Sequence, residues 1–433
     1  MSKMSKTEPR EQAFPSRAGV MTYLFSNNAL HSFCLTLYVR AGSMFEKEEE
    51  NGITHLFEHL VFRSVNRKMN GTLYRELDRL GLCLEGCTYK EFVRFTVSGA
   101  KEHFAEGADI LLKFLEPLTL TKEDIRLEKS RVKAEIREES ERTTLDFFAD
   151  AAVHEGTSLS RSIAGTAGKV ERITLARLCA FREEMLSVKN IFFYATGAVD
   201  EKSITALCAR LDTVPLSDAY AQKENIAPLS PRFCRRDGDV FIKNSKKHMV
   251  RLSVDVDTSL ASDATLTLLY DVLFGEGESA RVHQALSEST GYIYSFRAGM
   301  ELYQNAAVIS VSYEITPSLL LPSVSLLLST LKAIKKNAAG CTACVKAPYT
   351  DNAYIVLDAD ADLNWSRAYE SKILGLPYAT VSERKAAYAA VTDEDIRALA
   401  ERLFTPKNLT LAVKGEKKKI NADALRALLQ DMK

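Results

Sequence analysis

In "HSFCLTLYVRAGS" apolar and polar positions alternate, with Phe33, Leu35, Leu37 and Val39 on one side and Cys34, Thr36, Tyr38 and Arg40 on the other. That is the period of a half-buried strand. An apolar-rich stretch from Ile53 to Ser64 reads as a helix, and "TLYRELDRLG" as a second one. "LCLEGCTYKE" then reads as a short strand and turn, "FVRFTVSG" as an alternating strand and "EHFAEGADILLKFLEPL" as an amphipathic helix.

From residue 248 the same order returns. "HMVRLSVDVDTS" alternates Val250, Leu252, Val254 and Val256, and "ATLTLLYDVLFG" is a helical pattern ending in Phe274, as the first ends in Phe62. "ESARVHQALSESTG" is helical, "AAVISVSYEI" a strand and "SLLLPSVSLLLSTLKAI" a helix. "VKNIFFYATG" and "PKNLTLAVKG" share Lys-Asn, an apolar strand and a final Gly, each after a helix. The pattern predicts an α+β fold of two tandem homologous domains related by duplication, each an antiparallel-rich sheet packed with helices. The expected division is a tail over 1–22, a first domain over 23–215, a polar, proline-bearing linker over 216–238 and a second domain over 239–433.

Composition narrows the function classes. Lys plus Arg and Asp plus Glu both number 57, so the formal charge is zero. Nothing there favours nucleic acid or an anionic membrane as partner, and neither is expected. The first seventeen residues mix acids, bases and prolines without an apolar run, which does not read as a secretory signal, so a cytoplasmic location is expected. Ser318 to Ile334, broken by Pro322 and serines, reads as a packed helix too short and too polar to span a bilayer. Eight cysteines scattered over 433 residues read as buried small apolar residues, and the Cys341–Cys344 pair lacks a second pair at zinc-ribbon spacing.

One short stretch carries chemistry. In "GITHLFEHLVF", His55, Glu58 and His59 stand at i, i+3 and i+4, one face of a helix. Two imidazoles one turn apart can chelate a zinc ion, and a hydrolytic zinc site needs a third protein ligand and an open position. The neighbours Ile53, Leu56, Phe57, Leu60, Val61 and Phe62 make this a largely buried helix. Burying two histidines and a carboxylate without a partner is costly, and a metal removes that cost. When Phe62 is set against Phe274, the three positions fall on Thr267, Tyr270 and Asp271, so only the first half can hold the metal.

With His-x-x-Glu-His in place, the sequence resembles the inverted zincins, the family of pitrilysin, insulysin and the mitochondrial processing peptidase, in its half-sized bacterial form. The resemblance runs from about Tyr23 to Gly415. It includes Glu135 in "EKSRVKAEIREES", at the family's distance past the second histidine, and Glu128 seven residues before it. It implies one Zn2+ per chain held by His55, His59 and Glu135, Glu58 as general base and Glu128 as a catalytic-site carboxylate orienting the ligands. It also implies an edge strand at Leu84, Glu85, Gly86, Cys87 and Thr88 that pairs with substrate backbone; here Glu-Gly stands where the family often has Asn-Ala.

The implied activity is that of a zinc metalloendopeptidase acting on extended or unfolded peptides in a dimeric chamber, as a homodimer or as a heterodimer with a sister chain of the same fold. A processing peptidase is one form of it. The alternative is a non-catalytic core or scaffold subunit. Members with a complete site carry an Arg and, seven residues on, a Tyr in the second half. Tyr294 matches the Tyr, but Ser287 stands at the Arg position and Arg281 shares its face only roughly. The competing reading makes Tyr292 and Tyr294 strand residues of the core.

Overall fold

The computed structural model describes residues 10–142, 144–216, 239–303, 306–351, 364–365, 367–376 and 380–433. The expected tail up to residue 9 and all of the expected linker but Leu216 lie outside the described residues. The chain forms two compact units, and each is assembled from more than one stretch of sequence.

The first unit comprises residues 1–139, 161–226 and 357–380. Its six strands are β1 (Gln12–Pro15), β2 (Met21–Ser26), β3 (Ser32–Val39), β4 (Cys83–Thr88), β5 (Val93–Ala100) and β6 (Ile191–Gly197). They lie in the order β1-β2-β6-β3-β5-β4, antiparallel except for β2 against β6. Helices α1 (Ile53–Lys68) and α2 (Leu73–Leu80) come between β3 and β4, and α3 (Phe104–Leu112) and α4 (Lys122–Arg142) between β5 and β6. The apolar residues read from β3 form one core with Val93, Phe95 and Val97 of β5 and with Leu56, Phe57, Leu60 and Val61 of α1.

Two expectations change here. The helix expected to stop at Ser64 continues to Lys68, because Val65 is also buried in the core; Asn70 (φ 53°) and Gly71 (φ 77°) then turn the chain away. The strand expected to be half-buried is buried on both faces. Its polar side is covered by a segment from the second half of the sequence: Tyr38 Oη donates to Asn364 Oδ1 at 3.3 Å, and Asn364 Nδ2 donates to the carbonyls of Cys34 (3.1 Å) and Tyr194 (2.9 Å).

The second unit comprises 140–160, 227–356 and 381–433. Its strands β7 (Asp239–Asn244), β8 (Met249–Val256), β9 (Arg297–Leu302), β10 (Ala307–Glu314) and β11 (Leu409–Gly415) run in the order β7-β11-β8-β10-β9. Strand for strand this repeats β2-β6-β3-β5-β4, down to the one parallel pair, β11 with β7. A helix encoded in the first half, α5 (Thr144–Val153), belongs to this unit. Its Leu145 and Ala149 pack on Ala412, and its Asp146 and Asp150 bind the buried Arg251 of β8 at 2.5 and 2.9 Å.

The apolar helix of this unit is longer than the sequence suggests. With a 3-10 turn in front, Pro317–Lys336 runs 20 residues, long and apolar enough by length and composition to cross a membrane. Here Leu320, Val324, Leu327, Leu328, Leu331 and Ile334 lie in the second core. Pro322 is tolerated because it sits in the first helical turn, where an amide hydrogen has no partner to lose. The cysteines divide: Cys34, Cys208 and Cys341 are buried as expected, whereas Cys83, Cys179 and Cys344 are exposed.

Candidate metal centre

The start of α1 fixes the site. Gly52 takes φ 101°, and a Cβ there would meet the Ala164 carbonyl oxygen at 2.6 Å, so the helix is entered through a turn that only glycine fits. Glu46, buried at 6 % exposure, accepts from the backbone amides of Gly52 (2.8 Å) and Thr54 (2.9 Å) and from Asn51 Nδ2 (2.8 Å). A carboxylate on the free amides of a helix start satisfies orphan donors and opposes the helix dipole. One turn further on, His55 and His59 stand with ring centroids 4.7 Å apart.

Helix α4 brings Glu135 to both rings. Its carboxylate oxygens lie 3.6 Å from His55 Nε2 and 3.5 Å from His59 Nε2. One ligand atom from each of the three residues falls within 4.8 Å of the others. Ligands about 2.0 to 2.2 Å from a tetrahedral zinc stand roughly 3.3 to 3.6 Å apart, and each histidine lies at that spacing from the Glu135 carboxylate. Burial, then the charge of His59, holds His55 well below the usual imidazole range, at about 4. Its lone pair is thereby free to bind a cation at neutral pH.

Around this trio the charges are ordered. Glu128, 2 % exposed, places Oε2 3.3 Å from His59 Nδ1, while Arg63 donates Nε to Oε1 at 2.7 Å. Burial opposes the ionised form of Glu128, but His59 and Arg63 outweigh it and hold the carboxyl at about 2. Burial likewise opposes the charged form of His59, and the hydrogen bonds that the ring donates to Glu128 and Glu135 override it, pushing the ring up to about 9, so a cation held at Nε2 must displace that proton. Glu135 is lowered by its hydrogen bond to His59, against burial.

Glu58 lies on the same helix face but accepts from Thr88 Oγ1 at 2.7 Å. Burial raises its pKa, and the Thr88 hydroxyl pulls in the other direction. A buried carboxyl held by a hydroxyl beside a candidate metal site is suited to taking up and releasing a proton.

The five residues expected along the substrate strand separate by face. β4 is an edge of its sheet. Thr88 and Gly86 face α1, and Leu84 packs against the first core. Glu85 and Cys87 alternate to the opposite face. A Cβ on Gly86 would lie 2.6 Å from Phe62 Cε2 and 2.8 Å from Glu58 Oε1, so glycine is what lets the strand approach the carboxylate.

Tyr294 belongs to the second unit and is 97 % exposed, while Tyr292 packs against the second core. Ser287 Oγ donates to the Tyr294 carbonyl at 3.5 Å, and Arg281 Nη2 is occupied by Cys341 Sγ at 2.7 Å.

Sequence reasoning missed Glu46, Arg63 and Asp124. Only the last two left a signal, the four-residue steps His59–Arg63–Arg67 and Asp124–Glu128 on two helices, and nothing in the sequence says that those helices face each other.

The profile of the insulinase family, peptidase family M16, matches residues 23–167, and that of the M16 inactive domain matches 172–339. The chain belongs to this family of peptidases, as a half-sized pitrilysin-type member with two tandem domains. An uncharacterized zinc protease of Mycobacterium bovis is 22 % identical over 415 residues, covering 92 % of this chain and 91 % of its own. A probable mitochondrial-processing peptidase subunit beta of Arabidopsis thaliana is 25 % identical over 227 residues, which span 52 % of this chain and 42 % of that protein. Among solved structures, a protease from Helicobacter pylori superimposes with a TM-score of 0.85 at 15 % identity, covering 94 % of this chain and all of the other.

Proposed function

We propose that the chain is a zinc-dependent endopeptidase that hydrolyses extended or unfolded peptides. The observation that carries this reading is the convergence of His55 Nε2 and His59 Nε2 on the Glu135 carboxylate at 3.6 and 3.5 Å. Glu58 stands beside them and is held by Thr88. The relatives named zinc proteases support the same metal.

In this reading His55, His59 and Glu135 hold the ion. Zinc bound there supplies a Lewis acid for a peptide carbonyl and acidifies a water molecule. Glu58 takes a proton from the attacking water and returns it to the leaving amine, and Thr88 keeps the receiving oxygen in place. Glu128 holds His59 Nδ1, so that Nε2 is the atom turned to the metal. The free edge of β4 receives the substrate backbone as an added strand, a mode that reads extended peptides with little regard to sequence.

The relatives named as subunits, a processing-peptidase beta subunit and a cytochrome b-c1 subunit 1, support a partner chain of the same fold. The non-catalytic scaffold reading is not better supported, since all three candidate ligands and Glu58 are present and gathered together.

The test compares wild type, Glu58→Gln and His59→Ala on a mixture of unstructured peptides, with zinc content measured on each. Glu58→Gln should keep its zinc and lose about two to four orders of magnitude in turnover. His59→Ala, like wild type after exhaustive chelation, should lose both metal and activity. Full turnover after chelation would sink the reading.

A further inference from the structure

The two helices that carry the candidate ligands are joined by a ladder of charges. On α1, His59, Arg63 and Arg67 follow at intervals of four; on α4, Asp124 and Glu128 do the same. Arg67 binds Asp124 through Nε at 2.5 Å and Nη2 at 3.1 Å. Arg63 stands between the two carboxylates, with Nη1 3.6 Å from Asp124 Oδ1, and Nε at 2.7 Å and Nη2 at 2.5 Å from Glu128 Oε1. Glu128 then offers its other oxygen, Oε2, to His59 Nδ1 at 3.3 Å.

We infer that Arg63 is a positioning residue for the metal centre: by holding Glu128 Oε1 through two N–H groups it reserves Oε2 for His59 and fixes α4 along α1 at the register that brings Glu135 to the two imidazoles. The inference rests on the zinc reading given above.

Three features separate this from an ordinary surface ion pair. Glu128 is 2 % exposed, so its charge depends on protein partners rather than water. The forked geometry uses the one carboxylate oxygen that the exposed Arg131 also reaches through Nη1 at 3.2 Å, and leaves the other to His59, which a point charge on a flexible stem does not enforce. Among the described residues Glu135, two helical turns beyond Glu128 on the same helix, has no anchor to α1 other than the histidines. A slip of the ladder would therefore move the third ligand.

The distal rung supplies the control. Arg67 is 44 % exposed and touches Asp124 and Thr121 but not Glu128. Its removal should leave the Arg63 fork intact.

The test uses the full chain stripped of metal, with the zinc dissociation constant read by competition with a chromogenic chelator and folding checked by thermal unfolding of the metal-free protein. Arg63→Met should weaken zinc binding by about 10- to 100-fold, the usual loss when an outer partner of a metal ligand is removed. Arg67→Met should stay within about threefold of wild type. Arg63→Lys, which keeps the charge without the fork, should fall between them, and it decides the matter should Arg63→Met not fold.

With cobalt(II) in place of zinc, the visible spectrum of Arg63→Lys should shift, reporting altered ligand geometry that a loss of stability alone would not cause. Zinc affinity and cobalt spectrum of Arg63→Lys equal to wild type would overturn the inference, as would an Arg67→Met loss as large as that of Arg63→Met. Failure of the wild-type chain to bind zinc more tightly than a His55→Ala/His59→Ala control would instead remove the zinc reading itself.

Discussion

Thr88 and Gly86 act on the same carboxylate by opposite means. The Thr88 hydroxyl donates to Glu58 Oε2 at 2.7 Å, and the absence of a side chain on Gly86 leaves Oε1 its room. A hydrogen bond to a charged group contributes about 1.5 to 3 kcal/mol. Thr88→Val keeps the shape but removes the donor, leaving a buried carboxyl with one fewer partner and a less defined position. Turnover should fall by roughly tenfold or more while KM moves little, since Thr88 touches Glu58 rather than the peptide. Thr88→Ser should restore most of the loss. Steady-state kinetics on one unstructured peptide measures both, and a Thr88→Val effect confined to KM would place Thr88 in substrate binding instead.

Between elements, the packing of α1 on α4 has its own pH signature. Arg67 and the Thr121 hydroxyl and amide overcome the burial of Asp124 and hold its carboxyl at about 2, below the usual aspartate value of about 3.9. A folded-state pKa below the unfolded one contributes stability above the unfolded value, and that stability is lost as pH falls through the folded value. The contribution of Asp124 should therefore be complete above about pH 5 and fade as pH falls through about 2. Urea unfolding of wild type and Asp124→Asn at pH 5, 4 and 3 checks it. Wild type should be the more stable at pH 5, and the gap should narrow to roughly half by pH 3, closing only below about pH 2.

The same pair of helices marks where sequence stops being informative. Period-two and period-3.6 patterns located β3, β5, α1 and the repeated set in the second half, because those patterns are imposed by burial against a sheet. They did not reveal that β3 is covered on its polar side by Asn364, or that α5 joins the second unit, because a polar residue covered by a distant segment looks like one facing water. His55, Glu58 and His59 were legible from local spacing alone. Glu135 and Glu128 were legible only through likeness to a family, and the four-residue step that includes Arg63 could not be interpreted because its meaning lies in a contact with Glu128, 65 residues further along the chain.

At the scale of the whole molecule, the duplication is complete in topology and broken in chemistry. Five strands of the first sheet and the five of the second share one order, yet where α1 carries His55, Glu58 and His59 the corresponding helix of the second unit, α6 (Asp263–Phe274), has Thr267, Tyr270 and Asp271. Tyr294 of the second unit is an aromatic ring left 97 % exposed. Resemblance to the family gives such a Tyr, with an Arg seven residues before it, the task of holding the substrate carbonyl and the charge that develops on it. Ser287 stands at the Arg position, and a neutral hydroxyl cannot supply the forked, charge-assisted bonds of a guanidinium. Arg281 does not replace it, being engaged with Cys341. The isolated chain should accordingly turn over slowly, and a sister chain of the same fold bearing both Arg and Tyr should activate it strongly. Turnover measured on the chain alone across a range of concentrations, and again with such a partner added, separates the cases. Ser287→Arg in the isolated chain should raise turnover, and Tyr294→Phe should abolish that gain. Fast turnover by the chain alone, unmoved by either substitution, would mean that the centre needs nothing from a second-half Arg and Tyr.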